Sequence, residues 1–121
     1  MVTKLHTIAA ATATTTGGAV DVRDAKKVGF IFKRSAHSSG STAFTVSVSP
    51  DNGTTWITYN RLIENVASTN AQTVARVASV TLSANGTVFA MLDPIDIVTH
   101  VKVTATETTD GTHDAWVITE E

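Results

Sequence analysis

Residues 44–56 of the chain, FTVSVSPDNGTTW, contain the pattern that decides the fold. Phe44, Val46 and Val48 alternate with small polar residues. Alternation with period two is typical of a half-buried antiparallel strand. The Pro-Asp-Asn-Gly that follows favours a turn, because Pro fixes φ, Asp and Asn bond their own backbone, and Gly accepts positive φ. The pattern therefore predicts a hairpin whose second strand covers residues 56–59.

Two later segments repeat this order of strand, turn and strand. Residues 78–92 have alternating apolar positions on either side of Ser-Ala-Asn-Gly, and residues 101–119 have them on either side of Thr-Asp-Gly-Thr. Asn-Gly and Asp-Gly between alternating strands are strong short-range hairpin signals. We therefore predict a second and a third hairpin over these two segments.

Other segments extend the predicted sheet. Residues 27–33 and 19–22 have strand-like patterns. Residues 61–77 suit either a helix or two strands joined by a loop at 66–70. Ser, Thr and Asn within 66–70 are typical of a loop, so we favour two strands over a helix. Residues 1–16, rich in Ala and Thr, suit either an edge strand or an extended N-terminal arm ordered by a partner.

About eight short strands and no convincing long helix predict an all-β fold, an antiparallel β-sandwich of jelly-roll or immunoglobulin-like type. The chain has 121 residues and no cysteine. Two domains of half this size would each bury too little surface to be stable without disulfides or metals. We therefore expect one sandwich domain over residues 17–121, preceded by the segment 1–16.

Charge and hydropathy exclude several classes of function. The net charge is −2 and the pI is near 6.0, which argues against a nucleic-acid binder. The basic pairs Lys26-Lys27 and Lys33-Arg34 are interpreted as solubilising charges at strand ends. No apolar run approaches the roughly 20 residues of a helical membrane span. The start of the chain lacks the layout of a signal peptide, so we expect synthesis in a cytosol and no membrane partner.

The segment 49–56, SPDNGTTW, resembles the Asp-box of sialidases, Ser-x-Asp-x-Gly-x-Thr-Trp. In that family the motif is a structural hairpin on propeller blades, it recurs several times in a chain, and it lies away from the catalytic site. This chain has one copy and is too short for a propeller. The resemblance therefore implies a local turn, with a relic of sugar processing as the minor alternative.

No residue pattern indicates a catalytic, cofactor or metal site. The four histidines lack the spacing of metal ligands, and the segment around Asp110, His113 and Asp114 is better explained as a turn than as a cation site. No Gly-x-Ser-x-Gly elbow is present. The acidic residues form no convincing catalytic pair, and Asp93-Pro94 suits a turn. The histidines are His6, His37, His100 and His113, and the acidic residues considered are Glu64, Asp93, Asp96 and Glu107.

Two further patterns have both a structural and a functional interpretation. Glycosylation sequons begin at Asn52 and Asn85, and both coincide with predicted turns. The aromatic residues Trp56, Tyr59 and Trp116 would fill a core or an interface, or, as the minor alternative, form a glycan-stacking platform on one sheet face.

The order of elements resembles that of decoration proteins of tailed-phage heads and related capsid or tail sandwich proteins. The resemblance rests on residues 17–28 (GGAVDVRDAKKV), on 44–56, and on the Val-rich strand and Asp-Gly turn near the end. It implies a virion protein that binds the major capsid protein, forms a homotrimer and reinforces the shell. The family has no active site whose residues could be carried over.

Four functions therefore remain as expectations. The first is a structural protein that binds the outside of an assembled phage capsid. It would be made in the host cytoplasm and located in the virion. Only 17% of the residues are charged, which suits a protein that packs against neighbouring proteins. The second is a tail or head-fibre module, and the third a carbohydrate-binding module. A hydrolase is the weakest candidate, so we expect no enzyme activity.

Overall fold

Twelve antiparallel strands form two packed sheets in the computed structural model, which describes residues 1–68, 71–93 and 96–121. In chain order the strands are β1 (Val2–Ala11), β2 (Thr15–Thr16), β3 (Val20–Asp21), β4 (Lys27–Ser35), β5 (Gly40–Ser49), β6 (Ile57–Thr58), β7 (Leu62–Ser68), β8 (Ala71–Val77), β9 (Val80–Leu82), β10 (Gly86–Met91), β11 (His100–Thr109) and β12 (Thr112–Glu120). Within the described ranges there is no helix that could span a membrane.

The strand order is that of a jelly roll. The first sheet runs β1-β12-β4-β10-β7-β8, and the second runs β2-β11-β5-β6, with β3 also beside β11 and β9 also beside β5. If β2 and β3 count as one interrupted strand, and β6 and β9 as another, the sheet orders are 1-8-3-6 and 2-7-4-5, which define the jelly roll. The all-β sandwich is thus confirmed, and the count exceeds eight because two strands are broken and the hairpin β7–β8 is added.

The two segments with open alternatives both form strands. Strand β1 pairs with β12, from Val2 opposite Glu120 to Ala11 opposite His113, so it is an edge strand of the first sheet. Strands β7 and β8 pair with each other from Leu62 opposite Val77 onward, so the described residues 62–68 and 71–77 form two strands and not a helix. Of the predicted loop at 66–70, residues 66–68 belong to β7; residues 69 and 70 lie outside the described ranges.

The core lies between the sheets and follows the predicted alternation. Phe44, Val46 and Val48 all face inward and are buried. The Phe32 ring of the first sheet stacks on the Phe44 ring of the second, with 4.6 Å between centroids. Burial of such side chains, at about 25 cal/mol per Å² of apolar area, is the main favourable term in folding.

The first predicted hairpin is confirmed. Strand β5 pairs with β6, with Val48 opposite Ile57. In the turn between them Asn52 has φ of 62° and Gly53 has φ of 88°. Asn and Gly are the residues that adopt this left-handed conformation at least cost.

The second and third predicted hairpins are wrong, because their strands belong to different sheets. Strand β9 pairs with β5 in the second sheet, whereas β10 pairs with β4 and β7 in the first. Likewise β11 pairs with β5, whereas β12 pairs with β1 and β4. A tight Asn-Gly hairpin turn needs positive φ at both residues, and neither Asn85 nor Gly86 has it.

Three of the connections that cross between the sheets lie together at one end of the sandwich, where hydrogen bonds join them. They are residues 36–39, 83–85 and 110–111, and we call this region the corner end. The Asn85 side chain accepts a hydrogen bond of 2.8 Å from the His37 backbone N–H. The Asp110 carboxylate accepts one of 2.8 Å from the Ser38 hydroxyl.

Arg34 links two of these connections, 36–39 and 110–111, from inside the protein. The sequence predicted a solubilising charge here, which is wrong: Arg34 follows Phe30 and Phe32 on the inner face of β4 and is 1% exposed. Its guanidinium donates to Glu107 Oε1 at 2.7 Å and to the Ser39 carbonyl at 2.9 Å, and also to the Asp110 carbonyl. Burial is tolerated because the charge is paired and its N–H groups are satisfied.

Glu107 completes a polar cluster that joins the sheets. Arg34 lies in the first sheet and Glu107 in the second, and Thr42 Oγ1 lies 2.6 Å from Glu107 Oε2. His113 Nδ1 is 3.0 Å from the same carboxylate oxygen. Burial by itself raises the pKa of Glu107, but hydrogen bonds from Thr42, Arg34 and His113 outweigh it, so the pKa is lowered.

Substitutions of Gly86 and Gly111 test whether the connections at these residues cross between the sheets at the corner end or form hairpin turns. A Cβ at Gly111, where φ is 134°, would lie 2.7 Å from the Arg34 guanidinium carbon, whereas a Cβ at Gly86 meets no atom within 4 Å. We expect Gly111→Ala to lower the free energy of unfolding by at least about 2 kcal/mol, and Gly86→Ala to change it by less than about 0.5 kcal/mol. Urea denaturation measures both. Similar losses of stability for the two variants would support two ordinary hairpin turns and would contradict crossing connections at the corner end.

The ion pair should also make stability depend on pH. A lowered carboxyl pKa contributes stability above the unfolded value, here near 4.5, and that stability is lost as the pH falls through the folded value. We expect Glu107→Gln to cost about 3 kcal/mol near neutral pH, because Arg34 loses its charge partner. The difference from the unmodified protein should shrink below about pH 4.5 in denaturation curves. A pH-independent difference would contradict the lowered pKa.

Candidate interaction surface

The outer face of the second sheet is covered with hydroxyl groups. In neighbouring strands Thr16, Thr104 and Thr45 lie side by side, and the Oγ1 atoms of Thr16 and Thr104 are 3.0 Å apart. We call this surface the hydroxyl face. Its hydroxyl-bearing residues are Thr16, Ser41, Thr45, Ser47, Thr58, Thr81, Thr104, Thr106 and Thr108.

The outer face of the first sheet has the opposite character. Six outward positions of its central strands are apolar, with Lys33, Thr87 and Asp114 outward at one end, and we call the apolar part of this surface the apolar face. It consists of Ile31, Ile63, Phe89, Met91, Trp116 and Ile118. The Phe89 side chain lies over Gly29, where an added Cβ would come within 2.9 Å of the ring, and Phe89 is 40% exposed. Contiguous apolar area of this kind typically marks a site of protein association.

Polar side chains from β1 border the apolar face. The His6 ring stacks on Trp116 with 4.5 Å between centroids, and the Lys4 ammonium lies 4.8 Å from the Trp116 ring centre. His6 Nε2 is 2.9 Å from Asp114 Oδ1, which also accepts a hydrogen bond from the Ala10 backbone. These contacts surround Trp116 with polar side chains from β1.

The Asp-box segment forms the turn that its sequence predicted. The Ser49 hydroxyl donates to Asp51 Oδ1 at 2.9 Å and accepts from the Gly53 N–H at 2.8 Å. Asp51 Oδ1 also accepts from the Thr55 N–H at 2.8 Å. Hydrogen bonds from Thr55 lower the pKa of the Asp51 carboxyl. These bonds all join residues of the segment to each other, so the polar groups of the motif stabilise the turn.

The three candidate aromatic residues do not share a surface. Tyr59 is buried, and its hydroxyl donates to Asp96 and accepts from the Asp93 N–H at 2.9 Å. Trp56 lies beneath Lys102 on the outer side of the second sheet, with 4.2 Å from ammonium to ring centre. Trp116 belongs to the first sheet. The hypothesis of a three-residue stacking platform on one face is therefore wrong.

The candidate metal-binding and acidic residues are dispersed. Around the predicted turn, His113 faces inward to Glu107, whereas Asp114 faces outward to His6. No group of three or more His, Asp or Glu residues in the described ranges is arranged to hold a metal ion. His37 accepts from Arg34 at 3.1 Å.

The remaining candidates also lie apart. His100 Nδ1 is 3.0 Å from the Thr99 hydroxyl. Asp93 pairs with Arg76 at 3.2 Å, and Glu64 lies opposite Ala90 in the sheet. The predicted Asp93-Pro94 turn cannot be compared, since Pro94 is outside the described ranges.

Comparison with known proteins identifies the fold but no family. No known protein-family profile matches the chain. No curated protein matches it either. Among solved structures, the chain is similar to the SPBc2 prophage-derived protein YomS, with a TM-score of 0.63 and 18% identity, over 98% of this chain and 94% of that one. A weaker likeness, with a TM-score of 0.36 and 10% identity, is to a structure of infectious bursal disease virus Gt strain, over 99% of this chain and 32% of that one.

Sequence reasoning missed the apolar face, although a signal for it was present. Residues 28–32 are Val-Gly-Phe-Ile-Phe and residues 115–118 are Ala-Trp-Val-Ile, both apolar at consecutive positions. A strand that is apolar at consecutive positions has apolar side chains on both faces, which is typical of burial on both sides. Ile31 and Trp116 are the outward members of these runs.

The Asp51 turn can be tested by its hydrogen bonds. Asp51→Ala leaves the Thr55 N–H and the Ser49 hydroxyl without this acceptor, so we expect the midpoint of thermal unfolding to fall. Asp51→Asn keeps an acceptor oxygen and should lose less. The control is Asp24→Ala, which removes an exposed carboxylate at the same end. Thermal denaturation followed by circular dichroism measures all three, and equal losses for Asp51→Ala and Asp24→Ala would contradict the bonded turn.

Proposed function

We propose that this chain is a structural virion protein that binds the outside of an assembled phage capsid through its apolar face and reinforces the shell. The major capsid protein is the proposed partner. The observation that carries the proposal is the contrast between the two outer faces: one sheet presents hydroxyl groups, and the other presents Ile31, Phe89, Met91, Trp116 and Ile118.

The fold supports this proposal. Two packed sheets closed by crossing connections form a rigid body, and jelly rolls are common in viral capsid proteins. The similarity to a prophage-derived protein extends over nearly the whole length of both chains. That likeness concerns the fold, and the proposal adds the role.

The size and chemistry of the apolar face suit a contact that is repeated many times. A single face on a chain of 121 residues offers a modest area. Many copies bound to one shell stabilise it collectively, so that each contact need not be tight. The hydroxyl face would then point to solvent, where Thr and Ser exchange hydrogen bonds with water.

The two outer faces also bear on the alternative functions. A tail or head-fibre module would also use an apolar face and differs only in its location on the particle. A carbohydrate-binding module usually presents exposed aromatic rings side by side, whereas Trp56 and Trp116 lie on opposite sheets. The homotrimer implied by the resemblance stays a prediction.

Binding to undecorated phage heads tests the proposal. We expect the purified protein to co-sediment with the heads to saturation, and Phe89→Lys to weaken binding about tenfold or more, which corresponds to ~1.4 kcal/mol, because a charge would be buried in the contact. The matched control is Thr106→Lys, which adds the same charge at an exposed position of the hydroxyl face.

Circular dichroism should show both variants folded. Equal weakening by Phe89→Lys and Thr106→Lys would contradict docking through the apolar face. Failure of the unmodified protein to bind heads, together with binding to tails or to a glycan array, would favour one of the alternative functions.

A further inference from the structure

The two edge strands of the first sheet differ in how they are protected. A sheet edge exposes unpaired backbone N–H and C=O groups and can add a strand from another chain. Natural proteins block such edges with bulges, with lysine, or with backbone that turns away from the sheet. In the described part of the chain the first sheet has β1 at one edge and β8 at the other.

Strand β1 carries these protective features. Its pairing with β12 shifts register between His6 and Ile8 and again between Ile8 and Ala11. Ala10 has a φ of 48°, which is unusual for a residue other than glycine. Lys4 lies in the regular part of the strand. The backbone of β1 is therefore unsuited to continuous pairing with an added strand.

Strand β8 lacks these protective features. It pairs with β7 over seven consecutive residues, Ala71–Val77, without any shift in register. Its sequence, AQTVARV, contains no proline and a single charge, Arg76. A regular, nearly uncharged strand at a sheet edge is suited to strand addition.

The hairpin that carries β8 extends beyond the rest of the sheet. Strand β7 pairs with β10 only at Glu64 and Ile63, whereas its pairing with β8 continues to Ser68. No charged residue occurs between positions 65 and 75. A two-stranded hairpin is marginally stable on its own in water, so a third strand would stabilise it.

We infer that β8 pairs antiparallel with β8 of a second copy of this chain, so that one continuous sheet runs through a twofold dimer. The sequence of β8 is compatible with itself in this arrangement. With the twofold axis at Val74, Ala71 lies opposite Val77 of the other copy, and Arg76 lies opposite Gln72. All seven residues pair, and no like charges meet. A β1 pair centred on Lys4 would instead place two ammonium groups opposite each other.

This inference is independent of the proposed function, because strand addition uses an edge and shell binding uses a face. It differs from the homotrimer implied by the family resemblance, since an edge paired with its own copy closes a twofold and cannot close a threefold. Solution mass therefore separates the two. We expect twice the chain mass of 12.7 kDa by light scattering at about 100 µM protein.

Single cysteines test the register, because the chain has none of its own. Residues opposite each other in an antiparallel pair have Cα atoms about 4.5–5.5 Å apart, within the range of a disulfide. Val74→Cys should therefore form a dimer disulfide under mild oxidation. Ala71→Cys is the matched control on the same strand, because its copies would lie about 20 Å apart.

We expect Val74→Cys to cross-link at least about tenfold faster than Ala71→Cys. Val74→Lys should shift the unoxidised protein toward monomer, because like charges would lie opposite each other, whereas Val2→Lys on the other edge should not. A monomer or trimer mass for the unmodified protein would overturn the inference, as would equal cross-linking rates for the two cysteine variants. Shell binding can fail or succeed whichever result is obtained.

Discussion

The buried ion pair between Arg34 and Glu107 is the interaction on which the arrangement of the two sheets depends. Its partners come from different sheets, and the Arg34 guanidinium also donates to backbone carbonyls of two crossing connections. Removing a charge from water is costly, so a buried pair contributes little net stability compared with an apolar core. What it supplies is specificity: any register or connection that separates Arg34 from Glu107 leaves a buried charge unpaired.

The corner end explains why the two outer faces can differ so strongly. Because the connections cross between the sheets there, β4 and β5, β9 and β10, and β11 and β12 follow each other in the chain but lie in different sheets. Each sheet is thus assembled from distant segments, and its outer face collects residues that are far apart in sequence. The apolar face combines positions 31, 89 and 116, whereas the hydroxyl face combines positions 16, 45 and 104.

The apolar face and the β8 edge of the first sheet are two separate surfaces for association. The apolar face lies on strands that have a neighbouring strand on each side, so contact there depends mainly on side-chain packing. The edge at β8 offers backbone hydrogen bonds, which depend little on side-chain identity. A rigid body with one face for a shell and one edge for a second copy would join neighbouring sites on a surface without further chemistry.

Local chemistry in the sequence determined the strands, the inward residues such as Phe44, and the Asp51 turn, because alternation and turn propensity act within a few residues. Tertiary structure decided which strands pair. Asn85-Gly86 and Asp110-Gly111 looked like hairpin turns, yet both became crossings, because a turn sequence does not record whether the next strand joins the same sheet. The same limit hid the burial of Arg34, whose partner Glu107 lies 73 positions away in the chain.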